Sequence, residues 1–223
     1  MAWNDQVDFY CERLEPGLWG EPANALSNIS FVLAALALWR ILKHVRAHGQ
    51  TVTDDVLLLI PLVLLVGIGS VVFHTLATRW AALLDTLLIL VFCCAFLFAF
   101  LRRAAEQKFG PALTVSIGFA LLSFGFPLLF PREMLNGSLA YVPYLVALLT
   151  MTGYLASRGA ASTRTFGVAV IVFCISLTLR TVDLELCPRF PVGTHFVWHL
   201  LNGYLLWLVS REMILGRIAP QEK

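Results

Sequence analysis

Long apolar segments, separated by short polar connections, dominate the pattern of this chain. Apolar stretches of about 20 residues are typical of helices that cross a bilayer. Seven such segments are predicted, at 24–40 with an amphipathic extension to His44, 56–76, 81–101, 112–130, 138–156, 165–179 and 194–214. The pattern therefore predicts an all-α fold, an integral membrane bundle of seven transmembrane helices.

Polar segments precede and follow the predicted bundle. Residues 1–23 form an acidic head, in which Pro16, Gly17, Gly20 and Pro22 predict an irregular backbone. The bundle is predicted over 24–214, and a cytoplasmic tail over 215–223.

Composition agrees with a membrane protein. The chain is 59% hydrophobic and 13% charged, whereas soluble domains are about one quarter charged. A net charge of +2 is too small to favour a nucleic-acid partner. The apolar composition makes membrane lipids the expected surroundings. Nothing in the sequence predicts an oligomeric state.

The basic residues predict an orientation. Of the 16 Lys and Arg, 11 lie in connections that share one side if the N-terminus is outside and the C-terminus cytoplasmic. No eukaryotic retention signal is evident in the last four residues. We therefore expect a bacterial inner membrane, with a eukaryotic secretory-pathway membrane as the alternative.

Ionisable residues lie near one end of three predicted helices. His195 and His199 are four residues apart and would share one face of the seventh helix. His74 lies near the end of the second helix, and Asp85 near the start of the third. Under the predicted orientation all four share one depth, near the outer (periplasmic) face. Ionisable residues inside membrane spans are costly and usually functional, so they predict a common site.

Three imidazoles are a ligand set for catalytic zinc, with the fourth position left for water. Asp85 is then a candidate base, and Ser70, one turn before His74, is a candidate donor to an oxyanion. Simpler interpretations exist for each residue. Asp85 could stabilise a helix N-terminus, Ser70 could bond to its own helix, and the histidine pair could contact neighbouring helices.

The order Ser70-x3-His74, Asp85, His195-x3-His199 resembles the alkaline ceramidase family. That family belongs to a larger group of seven-helix membrane hydrolases, which includes adiponectin-receptor-like proteins. The resemblance implies that the three histidines bind Zn²⁺, that Asp85 is the general base and that Ser70 stabilises the transition state. It also implies a ceramide-like lipid substrate, hydrolysed to a sphingoid base and a fatty acid.

The head resembles the same family in the runs 8–12 and 21–28. This resemblance implies a Ca²⁺ ion held by Asp8, Glu12 and Glu21, because calcium prefers oxygen ligands. Leu14 departs from the family pattern, since a polar ligand is expected there, and a solvated acidic tail is the simpler interpretation. The resemblance further implies a disulfide between Cys11 and Cys187.

Other functions remain open at this point. The chain could be an adiponectin-receptor-like lipid receptor or signalling protein, or a hydrolase of another lipid with the same zinc site. A metal transporter would need ligands along a path through the bilayer, whereas these cluster at one end. A structural zinc site would need a fourth protein ligand.

Two further features allow more than one interpretation. Arg180 could pair with Asp183 or contact the polar group of a substrate. Gly67, Gly69 and Gly203 are expected to permit close helix approach.

Overall fold

The computed structural model describes residues 2–13, 15, 17–131 and 133–218. These residues form helices joined by short connections, and within them the one β-bridge joins Gln6 to Thr78. The predicted all-α fold is therefore confirmed. Leu14 and residues 219–223 of the predicted tail lie outside the described part of the chain.

Each predicted segment corresponds to one main helix. The α-helices are α1 Pro22–Ser27, α2 Ile29–Ala47, α3 Asp54–Leu57, α4 Leu59–Leu76, α5 Arg79–Arg103, α6 Phe109–Gly125, α7 Val142–Ser157, α8 Thr163–Thr181, α9 Asp183–Leu186 and α10 His195–Ile214. Two 3₁₀ helices span Phe126–Leu129 and Met134–Tyr141. The bundle begins at Pro22, two residues before the predicted boundary, because proline is favoured in the first turn of a helix.

Within the part of the chain that the structure describes, six helical stretches are long and apolar enough to cross a bilayer: Pro22–Ala47, Asp54–Leu76, Arg79–Arg103, Phe109–Leu129, Met134–Ser157 and Thr163–Thr181. The chain is therefore a multi-pass membrane protein. Helix α10 is not among the six, because two histidines, Asn202 and the Arg211–Glu212 pair reduce its apolar character. The seventh span and the orientation of the termini stay predictions.

The helices expose large apolar side chains on their outward faces. Leu121 and Phe124 on α6 are 69% and 62% exposed, and Ile171 on α8 is 61% exposed. Exposed apolar side chains of this size on membrane-length helices fit contact with lipid tails. Inside the bundle, α10 packs mainly against α2 and α8, and α4 packs mainly against α2 and α5. Helix α2 thus lies against both helices that carry the histidines.

Glycines set the spacing of these helices, as the sequence predicted. A Cβ atom added to Gly67 of α4 would lie 2.7 Å from the Cβ of Phe31 on α2. A Cβ added to Gly203 of α10 would lie 2.6 Å from the Cβ of Ser30 on α2. Small residues let helix backbones approach closely in membranes, and here they bring α4 and α10 onto the same helix.

Gly67→Ala is expected to destabilise the protein. The added methyl group meets the Cβ of Phe31, which cannot move without shifting α2, and such overpacking costs about 1–3 kcal/mol. Thermal unfolding in detergent should therefore show a lower midpoint. Gly118→Ala on α6 is the matched control, because no atom lies within 4 Å of its added Cβ. Equal midpoints for the two variants would contradict this account of the packing.

Candidate metal centre

Helices α4 and α10 bring three imidazoles together at the end of the bundle nearest the acidic head. One ligand atom from each of His74, His195 and His199 lies within 4.8 Å of the others. The side chains are 0%, 2% and 2% exposed, so the cluster is sealed from solvent. It is the only such group of potential metal ligands among the described residues.

Hydrogen bonds fix the orientation of two of these rings. The Nδ1 of His74 lies 2.5 Å from Oε2 of Glu21, and as an N–H it donates to that carboxylate. The Nδ1 of His199 lies 2.8 Å from Oγ of Ser27. The Ser27 hydroxyl already donates to the carbonyl of Asn24, so its oxygen accepts from His199. Both histidines therefore carry their ring proton on Nδ1.

The remaining ring nitrogens face each other. With the protons on Nδ1, the Nε2 atoms of His74 and His199 present lone pairs at a separation of 3.1 Å. Two lone pairs at that distance repel unless a cation lies beside both. Zinc–nitrogen bonds of 2.0–2.1 Å at a tetrahedral angle place two nitrogens about 3.3 Å apart. The geometry and donor set of this cluster therefore fit a bound metal ion such as Zn²⁺.

His195 is positioned by long-range contacts that no sequence pattern indicates. Its ring stacks on Tyr10 of the head, with centroids 3.5 Å apart. At the start of α10, Oδ1 of the buried Asp183 accepts the backbone N–H groups of Thr194 (2.6 Å) and His195 (2.9 Å). Oδ2 of Asp183 accepts the N–H of Cys11 at 2.9 Å. Asp183 thus ties the head to α10, and no local capping motif marks it because it lies 11 and 12 residues from those donors.

Ser70 and Asp85 lie beside the histidines. Ser70 is buried on α4, and its Oγ lies 3.4 Å from Nε2 of His199, its only hydrogen-bond partner among the described residues. Asp85 is the seventh residue of α5, beyond the turn in which the helix dipole stabilises an acid. Its Oδ1 is buried and has no hydrogen-bond partner within the described chain. An unpaired buried oxygen of this kind is available to a bound water or substrate.

An apolar cavity extends from these residues into the bundle. Its volume is about 110 Å³, and Ser70, Asp85, Trp198, His199 and Asn202 line it near the histidines. The remaining lining is aromatic and aliphatic, and includes Phe31, Phe92, Phe96, Met151, Phe173 and Val209. A polar centre that opens onto an apolar cavity suits a ligand with one reactive polar group and a hydrocarbon chain.

The structure does not support the calcium prediction. Oxygens of Glu21 contact His74 and Arg13, while Glu12 accepts the backbone N–H groups of Ala23 (2.6 Å) and Asn24 (2.8 Å) at the start of α1. Asp8 is exposed and lines a separate cavity. The three carboxylates do not form a group of potential metal ligands.

Glu21 is paired with the Arg13 guanidinium and does not face a calcium site. Burial alone would raise the pKa of its carboxyl, but the hydrogen bonds from His74, Arg13 and Asn24 outweigh that effect and lower the pKa. The carboxylate form is the one that accepts from the Nδ1–H of His74.

The cysteines show where the head is attached. The structure joins Cys11 to Cys187 in a disulfide, with Cα atoms 5.4 Å apart. Cys11 follows Tyr10, so this link holds the head against His195. Of the other cysteines, Cys93 lines the apolar cavity and Cys174 is exposed on α8.

Arg180 does not pair with Asp183. Its guanidinium donates to the carbonyl of Asn136 (2.6 Å), Oγ of Ser138 (3.0 Å) and the hydroxyl of Tyr10 (3.3 Å). It also lies 5.0 Å from the centre of the Tyr141 ring. Arg180 therefore helps to hold Tyr10 and Tyr141 in place beside the histidines.

Fold and site together define a class: a multi-pass helical membrane protein with a buried three-histidine cluster beside an apolar cavity. A family model described as Ceramidase matches residues 15–218, which is most of the chain, and the chain belongs to the ceramidase family. No curated protein matches it. Family membership supports a hydrolase that acts on an amide bond of a lipid.

Proposed function

We propose that this protein is a zinc-dependent intramembrane amidase that hydrolyses ceramide-type lipids to a sphingoid base and a fatty acid. One observation carries the proposal: the Nε2 atoms of His74 and His199 face each other at 3.1 Å, and His199 lines an apolar cavity together with Asp85, whose Oδ1 is unpaired. Membership of the ceramidase family supports the substrate class.

The three histidines are the proposed zinc ligands. When bound, Zn²⁺ supplies Lewis-acid polarisation of a carbonyl and lowers the pKa of water to about 7. Among the described residues, no fourth side chain joins the group. A closed structural site would need one, so an open, catalytic arrangement is favoured over a structural one.

Asp85 and Ser70 are the proposed proton-transfer and oxyanion residues. The unpaired Oδ1 of Asp85 takes the proton from the attacking water and then returns it to the leaving amine. The Ser70 hydroxyl lies next to Nε2 of His199. Once that nitrogen binds a metal ion, the hydroxyl proton can be donated to the carbonyl oxygen as negative charge develops.

The apolar cavity orients the substrate. Its aromatic and aliphatic lining holds a hydrocarbon chain with the amide next to the histidines, and it keeps bulk water away from the reacting group. Because the substrate already lies in the bilayer, we propose that it enters laterally between helices.

Fatty-acid release from a panel of ceramides tests the proposal. Purified protein in detergent, with its zinc content measured, is expected to release fatty acid and sphingoid base in equal amounts. The panel should contain other lipid amides and esters, since the same site could serve a different lipid. If zinc-loaded protein turns over none of them, the hydrolase proposal fails and a lipid-receptor role becomes the better interpretation.

A further inference from the structure

We propose that Arg13 is a positioning residue of the metal centre, an internal cation of the head that orients His74 through Glu21, while its contact with the His74 carbonyl holds the guanidinium in place. The inference rests on the proposed role of His74 as a zinc ligand. It concerns the affinity of the site for metal, which can be measured without a lipid substrate.

Three contacts place the Arg13 guanidinium. Nε donates to Oε1 of Glu21 at 2.6 Å, and Nη2 donates to the carbonyl oxygen of His74 at 3.0 Å. Nη1 lies 3.4 Å from the carbonyl oxygen of Gly17. Arg13 is 6% exposed and Glu21 1%, so these contacts are shielded from water. One planar group therefore contacts both the carboxylate that orients the His74 ring and the backbone that carries the ring.

The chain makes room for this guanidinium. A Cβ atom added to Gly20 would lie 2.7 Å from Nη1 of Arg13. Glycine at this position lets the turn before Glu21 pass close to the arginine. The head therefore packs closely around the buried Arg13 guanidinium. Its three contacts differ from those of a solvent-exposed side chain.

Arginine suits this position better than any other residue. Its donors form a rigid fork, which can reach a carboxylate and a carbonyl oxygen at the same time, whereas a lysine ammonium acts as a single point charge. The buried Glu21 carboxylate also needs a buried cation, because an unpaired buried charge is strongly destabilising. Arg13 supplies that cation, which explains why the head holds carboxylates without the group of ligands expected for calcium.

The effect on the metal centre passes through Glu21. With Arg13 removed, the carboxylate loses the donor to Oε1 and can turn away from the Nδ1–H of His74. Groups that orient a metal-bound histidine change metal affinity by about 10–100-fold when they are mutated. Because Arg13 acts one step further from the metal, we expect its loss to fall near the lower end of that range.

Competition for Zn²⁺ with a coloured chelator, on the purified full-length protein, measures the effect directly. We expect Arg13→Met to weaken zinc affinity about tenfold and Glu21→Gln to weaken it by about 10–100-fold. The double variant should be no weaker than Glu21→Gln, because one residue acts through the other. Arg79→Met is the matched control: the Nε of this half-buried cation near the head lies 3.8 Å from Oδ2 of Asp5, it contacts none of the histidines, and its loss should leave the affinity unchanged.

Several results would overturn the proposal. Arg13→Met could bind zinc as tightly as the wild type, or its effect could add fully to that of Glu21→Gln. If Arg13→Met does not fold, Arg13→Lys provides the test, since a wild-type affinity there would exclude the two-point fork. Calcium at about 1 mM, within the range of extracellular calcium sites, should not change the zinc affinity of the wild type, and a rise would show that the head takes an external cation. None of these readouts depends on ceramide hydrolysis.

Discussion

His199→Ala is expected to abolish both zinc binding and lipid hydrolysis. The substitution removes one of three ligands and leaves Nε2 of His74 facing an empty space, while the hydroxyl of Ser27 loses its imidazole donor. Without the metal, neither the carbonyl nor the water is activated, and we expect turnover to fall by at least about a thousandfold. Zinc content by elemental analysis and fatty-acid release should disappear together.

The matched control is His44→Ala. His44 is exposed near the end of α2 and does not belong to the buried cluster. The His44→Ala variant should therefore retain full zinc content and activity. If His199→Ala retained one zinc ion per chain, the three-histidine centre would be the wrong assignment, whatever its activity.

The candidate ligands could be predicted because their signal is local or follows from helix direction. His195 and His199 share a face through a spacing of four, and the alternation of helix direction places His74 and Asp85 at the same end. These arguments need only the positions of residues along helices. The structure bears out their consequence, since the three imidazoles meet.

The groups that orient the ligands could not be predicted. Glu21 lies 53 residues from His74, and Ser27 lies 172 residues from His199. No periodic pattern links positions so far apart, and the side-chain chemistry of Glu21 suited a calcium ligand equally well. Only the packing of the head on α4 and α10 shows that Glu21 contacts an imidazole and a guanidinium.

Helix α10 shows a second limit of prediction from sequence, which concerns the identification of membrane spans. Its two histidines, together with Asn202 and the Arg211–Glu212 pair, make this helix too polar to be identified as a span by hydropathy, although its place between α2 and α8 is that of a bundle member. A functional helix in a membrane protein can therefore be the one that composition identifies least well.

Asp85→Asn is expected to lower kcat by about 10²–10⁴-fold while zinc affinity stays unchanged. An amide has nearly the same shape as a carboxylic acid but cannot take a proton from water, so general-base catalysis is lost. Asp85 lies outside the group of metal ligands, and its Oδ1 makes no hydrogen bond to any described residue. The protein should therefore fold and bind zinc normally.

Separate measurements of kcat, KM and zinc affinity distinguish the possible roles of Asp85. Asp54→Asn, at an exposed position at the start of α3, is the matched control and should leave all three unchanged. If Asp85→Asn lost zinc, the carboxylate would be a ligand. If it kept a kcat within a few-fold of the wild type, another group would be the base, since the removal of a general base cannot leave the chemical step intact. A fall in kcat with zinc retained is the one outcome that assigns proton transfer to Asp85, because it separates the chemistry from the assembly of the metal centre.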